Sequence, residues 1–130
     1  MDTQPHTRPV FSVVVPVFNE AEIVGRMHHR LAAAMATLGV AWEVIYVNDG
    51  SRDTTLRMLE ALQQADHHVA LVNLSRNFGK EIATTAGLDH ARGDAVIVMD
   101  ADLQDPPEVK LPVCTGLRKL VWHSRSRLFG

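Results

Sequence analysis

Asp100-Ala101-Asp102 directly follows the apolar run Ala95 to Met99, with Gln104 and Asp105 close behind. Two carboxylates two residues apart at the end of a strand can converge on one small volume. Without a cation, their repulsion would raise one pKa. A divalent ion resolves that repulsion, and Mg2+ or Mn2+ prefers such oxygen ligands while keeping open positions for phosphate oxygens. A bare D-x-D is equally the mark of a solvated acidic turn, here before Pro106-Pro107. Its place after a buried-type strand, opposite other polar strand ends, favours the cation.

Two other clusters share that setting. Asp49-Gly50-Ser51 ends the run Trp42 to Asn48. A carboxylate there can accept a hydrogen bond from a base N–H or a sugar hydroxyl, while Gly50 allows a tight turn and Ser51 can cap a helix. Ser75-Arg76-Asn77-Phe78-Gly79-Lys80 follows the run Val69 to Leu74 and brings two cations to the same rim. Arg76 or Lys80 can meet a pyrophosphate or a base edge, although a solvated loop accounts for either one alone.

Other chemistry is weakly supported. The pairs His28-His29 and His67-His68 lack the i, i+4 spacing of a helical metal site and read as surface or hydrogen-bonded histidines. Cys114 has no evident base partner, and Asn73-Leu74-Ser75 matches a glycosylation acceptor by chance. The chain contains neither G-x-G-x-x-G nor G-x-x-x-x-G-K-[ST], against a dinucleotide oxidoreductase or a P-loop ATPase.

The elements that must position these residues are legible as four β-branched runs, Val10 to Phe18, Trp42 to Asn48, Val69 to Leu74 and Ala95 to Met99. None alternates cleanly with polar residues, which is the pattern of parallel strands covered on both faces. Between them lie stretches of helical period. The first carries Ile23, Val24, Met27, Leu31, Met35 and Leu38 as an apolar stripe, with Asn19 as predicted cap and Gly39 as stop. The second runs from about Thr54 to Asp66, packs Leu56, Leu59 and Leu62, and takes Ser51 or Asp53 as cap. The third spans about Lys80 to Arg92 and stops at Gly93. The order β-α-β-α-β-α-β predicts right-handed crossovers and a mainly parallel, Rossmann-like α/β sheet, whose ligands bind beyond the carboxyl ends of the strands.

Composition bounds the rest. The 130 residues make one domain, 46% hydrophobic and 22% charged, and the net charge of −2 argues against nucleic acid as a partner. The one cysteine excludes an internal disulfide framework and fits a reducing compartment. The longest apolar run, Val10 to Phe18, is far short of the ~20 residues of a membrane span, and the polar start is no signal peptide. A cytoplasmic, soluble chain is expected, with residues 1–9 as a disordered tail and 10–108 as the domain. Residues 1–108 carry −7, whereas 109–130 carry +5 and no acid. Leu111-Pro112 interrupts a helix that should start near Pro107, and no further strand is expected.

Five segments occur together and in order: Val14-Val15-Pro16-Val17-Phe18-Asn19-Glu20, Val47-Asn48-Asp49-Gly50-Ser51, Arg76 to Glu81, Ala86 to His90, and Met99 to Pro107. This set resembles the family 2 glycosyltransferases of GT-A fold. It is most similar to the polyprenyl-phosphate sugar transferases, the bactoprenol glucosyltransferases and dolichol-phosphate mannose synthases. The resemblance implies that Pro16, Phe18 and Glu20 line a nucleotide pocket, with Phe18 near the base. It implies that Asp49 hydrogen-bonds uracil or guanine and that Arg76 lies beside the same nucleotide. Asp100 would face the ribose and the metal; Asp102, the catalytic candidate, and Gln104 would help hold Mg2+ or Mn2+.

The implied reaction is inverting transfer of a hexose from a nucleotide sugar to a polyprenyl phosphate. UDP-glucose is the favoured donor, on the look of the Arg76–Glu81 and Ala86–His90 segments, and GDP-mannose the second. Full-length relatives continue past the Pro-Pro-Glu motif into an acceptor site and membrane-associated helices at the cytoplasmic face. Nothing after Glu108 matches them, so 109–130 reads as an atypical basic tail on a donor half whose acceptor half is missing. Two alternatives stand beside this: an inactive nucleotide-sugar-binding remnant, and a Mg2+-dependent phosphohydrolase using Asp100 and Asp102.

Overall fold

The structure, a computed structural model, describes residues 9–99 and one further two-residue strand. The four β-branched runs become β1 (Phe11–Val17), β2 (Trp42–Asn48), β3 (Val69–Asn73) and β4 (Ala95–Val98), joined by α1 (Ala21–Ala36), α2 (Thr55–Ala65) and α3 (Lys80–His90). β1 pairs in parallel with β2 on one side and β4 on the other, and β3 pairs in parallel with β2. The sheet order is β3-β2-β1-β4, extended at the β4 edge by β5 (Val121–Trp122).

β5 runs antiparallel, pairing Trp122 with Val96 and Val121 with Ile97. It corrects the expectation of no strand after β4. Two residues of ladder are too short to leave a hydropathy pattern, and they cover a backbone edge that β4 would otherwise expose.

Both faces of the sheet are covered, as continuous apolar strands require. Val13, Val15 and Val17 of β1, Val44 and Tyr46 of β2, and Ile97 and Met99 pack under α1 and α2. Val14, Ile45, Val47 and Val96 point to the other face, where α3 brings Ala83. The stripe of α1 is buried at Val24, Met27, Leu31 and Met35, as its period predicts, with His28 and Ala34 added. α3 sits close to the sheet. A Cβ on Gly87 would lie 2.4 Å from Val14 Cγ1 and 3.0 Å from Val47 Cγ2.

His28 is a core histidine, 6% exposed. Its Nδ1 lies 2.7 Å from the Tyr46 hydroxyl and its Nε2 2.9 Å from Asp66 Oδ2. Asp66 Oδ1 accepts from the His68 backbone N–H at 3.0 Å and meets His68 Nδ1 at 2.7 Å, while the His68 ring stacks on Trp42. The chain thus ties α1 and β2 to the turn before β3. Burial pushes the Tyr46 phenol upward, and the Asp66 charge adds to it.

A second buried network fixes where β4 begins. Glu43, 5% exposed, accepts from Ser12 Oγ at 2.6 Å and from the Arg92 backbone N–H at 2.8 Å. The Gly93 N–H donates to Ser12 Oγ at 2.8 Å, and a Cβ on Gly93 would lie 2.7 Å from that same oxygen. The third helix accordingly ends at His90, short of the predicted Arg92, and Gly93 serves close approach to β1.

Candidate functional site

A cleft of about 660 Å³ opens at the carboxyl ends of β1, β2 and β3, within the size range of small-molecule sites. Phe18 and Asn19 come from the turn after β1, Asn48 and Gly50 to Arg52 from β2 and its turn, and Asn73 to Asn77 from β3 and its loop; Leu56 of α2 completes the lining. The composition is two guanidinium groups among amides and hydroxyls, with Phe18 and the two leucines as apolar surface. Such a lining suits an anionic ligand with a flat, partly apolar end.

Side chains, more than helix caps, hold these turns together. Asn19 adopts φ +52°, a left-handed conformation that asparagine tolerates, and it precedes the α1 N-cap, which is Glu20. Asn19 is therefore not the predicted cap. Its N–H donates to Ser51 Oγ at 2.9 Å, and its Oδ1 accepts from the Arg52 N–H at 2.8 Å. The Glu20 N–H donates to Thr55 Oγ1 at 3.0 Å. Ser51, predicted as a cap for α2, is occupied by Asn19 instead. Asp53, the alternative cap, accepts from the Thr55 N–H at 2.9 Å and lies 3.4 Å from the Ala21 N–H, so it bridges the starts of α1 and α2. Its hydrogen bond from the Thr55 hydroxyl, followed by that from the Thr55 amide, holds its carboxyl below the usual range.

The turn after β2 also grips the loop after β3. Asp49 is 3% exposed. Its Oδ1 accepts from the Phe78 N–H at 2.8 Å; its Oδ2 accepts from the Gly79 N–H and from Asn77 Nδ2, both at 3.1 Å. Asn77 Nδ2 also reaches the Asp49 carbonyl at 3.0 Å. The Asn48 amide donates to Asn73 Oδ1 at 2.9 Å, joining the ends of β2 and β3. Gly50 takes φ +71°, the tight turn its sequence predicts.

Of the residues expected at a nucleotide pocket, Phe18 (43% exposed) and Arg76 line the cleft. The Arg76 guanidinium lies 4.8 Å from the centre of the Phe78 ring. Pro16 within β1, Glu20 at the start of α1 and Asp49 are not among the lining residues. Lys80 is exposed on the first turn of α3, outside the lining. Asp100, Asp102, Gln104 and residues 1–8 lie outside the described residues. Met99, the residue just after β4, donates its N–H to the Val14 carbonyl at 3.0 Å, so the chain leaves β4 beside β1, where the strand order reverses. The residues that sequence reading left without a role are Asn77, Asn48 with Asn73, and Arg52. Their partners are 25 to 33 positions away, and no local pattern announces them.

Among the described residues, the ligand atoms of Asp66, His67 and His68 lie within 4.8 Å of one another. This group is at the opposite end of β3 from the cleft, and both Asp66 oxygens already bond His28 and His68. Hydrogen bonding accounts for it.

Residues 12–117 match the family model described as Glycosyl transferase family 2, so the likeness runs past Glu108, where it was expected to end. The chain belongs to that family. It is 50% identical over 98 residues to an uncharacterized glycosyltransferase of Synechocystis sp., covering 75% of this chain and 31% of that protein. It is 46% identical, with 75% and 30% covered, to the undecaprenyl-phosphate 4-deoxy-4-formamido-L-arabinose transferase of Salmonella paratyphi A. The chain thus spans about 30% of the length of these relatives.

Solved structures agree on the GT-A fold. The mannosyltransferase PcManGT from Pyrobaculum calidifontis, in complex with GDP-Man and Mn2+, superposes with a TM-score of 0.63 at 27% identity, covering 75% of this chain and 29% of that one. S. aureus TarS in complex with UDP-GlcNAc gives 0.60 at 27% identity, covering 71% and 26%. The predicted mainly parallel four-stranded sheet flanked by helices is therefore the observed family architecture, with β5 added at its edge.

Proposed function

We propose that this chain forms the donor-binding part of a family 2 glycosyltransferase that moves a hexose, glucose first, from a nucleoside diphosphate sugar to a polyprenyl phosphate with inversion. The observation that carries the reading is the cleft at the strand ends, whose walls present Phe18, Arg52, Arg76 and a ring of amides. Support comes from the undecaprenyl-phosphate transferase among the relatives and from the nucleotide sugars held by PcManGT and TarS.

In this reading Phe18 and Arg76 flank the base, and the Arg52 guanidinium faces the diphosphate. Breaking the anomeric C–O bond releases a nucleoside diphosphate with added negative charge. Fixed guanidinium and amide donors already aimed at that charge lower the barrier. A Mg2+ or Mn2+ on Asp100, Asp102 and Gln104 would supply further charge neutralisation at the diphosphate, worth roughly several kcal/mol. The acceptor phosphate is already an anion near neutral pH and needs little help from a general base, so much of the remaining acceleration is positioning.

A second reading, a module that binds a nucleotide sugar without transferring it, rests on the same cleft, which residues 18–77 line by themselves. Calorimetry with UDP and with GDP, each with Mn2+, and transfer of labelled glucose to polyprenyl phosphate separate the readings. UDP binding tighter than GDP, together with transfer when the acceptor-binding part is supplied, is the expected result. Binding without transfer selects the module, and binding of neither nucleotide overturns both readings.

A further inference from the structure

We propose that Asn19 is a positioning residue for the nucleotide cleft: its side-chain amide pins the backbone at Arg52, so that the guanidinium is presented to the diphosphate. The inference rests on the donor-site reading above and assigns how one cation of that site is held. β1 and β2 run in register up to the pair Val17 and Asn48, and the Asp49 N–H donates to the Val17 carbonyl at 2.9 Å. The two turns that follow therefore leave the sheet side by side. They carry Phe18 and Arg52, which both line the cleft. Three successive amides of the first turn reach across to the second: Asn19, Glu20 and Ala21 donate to Ser51 Oγ, Thr55 Oγ1 and Asp53 Oδ2. Among the described residues one bond returns the other way, from the Arg52 N–H to Asn19 Oδ1 at 2.8 Å.

Arg52 is exposed, and a long cationic side chain carries rotamer freedom that ordering against a ligand must overcome. Fixing its backbone beforehand removes part of that cost. The Glu20 and Ala21 amides, which at the start of a helix would otherwise attract an anion, are already taken by Thr55 and Asp53. A phosphate reaching this corner thus meets the guanidinium. Asn19 also holds φ +52°, a conformation that asparagine adopts more readily than most side chains. One residue type serves the bend and the bond together.

The test uses the full 130-residue chain as Asn19→Gly, which keeps the left-handed bend and deletes the Oδ1 acceptor, as Arg52→Ala, and as the double variant. Affinity for UDP in Mn2+ is read by calorimetry, and affinity for uridine, which lacks the phosphates, by NMR titration. Hydrogen exchange at the Arg52 amide reads the bond itself. Asn19→Gly is expected to weaken UDP roughly threefold to tenfold, the scale of one lost hydrogen bond. Uridine affinity should stay unchanged, and the Arg52 amide should exchange faster in the ligand-free chain. Arg52→Ala should lose at least as much UDP affinity, and the double variant no more than Arg52→Ala, because Asn19 acts through that side chain. Uridine weakened as much as UDP, or losses that add in the double variant, would overturn the proposal in favour of a general loosening of the cleft. Unchanged UDP affinity in Asn19→Gly would overturn it too, while leaving the donor-site reading intact. A wild-type chain that binds no UDP would defeat the donor-site reading and this proposal with it.

Discussion

Asp66 shows how far one residue's chemistry can depart from what its neighbours in sequence suggest. Burial works to raise its pKa, but the His68 amide and the His28 and His68 rings outweigh that and bring it from 3.8 to about 2. A carboxyl depressed in the folded state contributes stability that is complete above its unfolded value and is lost as pH falls through its folded value. Stability should therefore decline from about pH 4 toward pH 2, and less steeply in Asp66→Asn, which starts from a lower value at neutral pH. Urea midpoints across that range check it; parallel declines in the two proteins would contradict it. At this scale the sequence reveals residue types at strand ends, hence Phe18 and Arg76. It does not reveal that Asp49 spends its oxygens on residues 77–79, because that depends on how two loops meet.

Elements were the most legible level. The bounds of β2 coincide with the predicted run, and β1, β3 and β4 fall within theirs, because buried β-branched runs flanked by polar turns have few alternatives. Caps are less legible. Asn19, Ser51 and Asp53 carry capping side chains, yet Asn19 and Ser51 bond each other's turns and Asp53 joins two helices. A cap signal records the ability to bond a nearby N–H, and tertiary contact redirected it. Helix α3 offers the sharpest element-scale prediction. Gly87→Ala gains up to about 1 kcal/mol of helix propensity. The new methyl must displace Val14 or Val47, or lift α3 from the sheet, at a cost of about 1–3 kcal/mol. The melting temperature should fall, and a rise would show that α3 can shift freely.

For the whole molecule, the parallel order β3-β2-β1-β4 brings three polar turns to one rim, and that convergence makes a site from residues as far apart as Phe18 and Asn77. No described helix is long and apolar enough to cross a membrane. The acidic pair Asp100 and Asp102 follows Met99 in sequence, and the Met99 bond to Val14 sets the end of β4 next to β1. A bound nucleotide is therefore expected to place its base in the cleft and to share a cation between its diphosphate and Asp102. Calorimetry of UDP with and without Mn2+, on the wild-type chain and Asp102→Ala, measures this directly. Mn2+ should strengthen UDP binding in the wild type, and Asp102→Ala should remove that gain while leaving the affinity in EDTA nearly unchanged. Equal losses with and without the metal would contradict a metal role for Asp102.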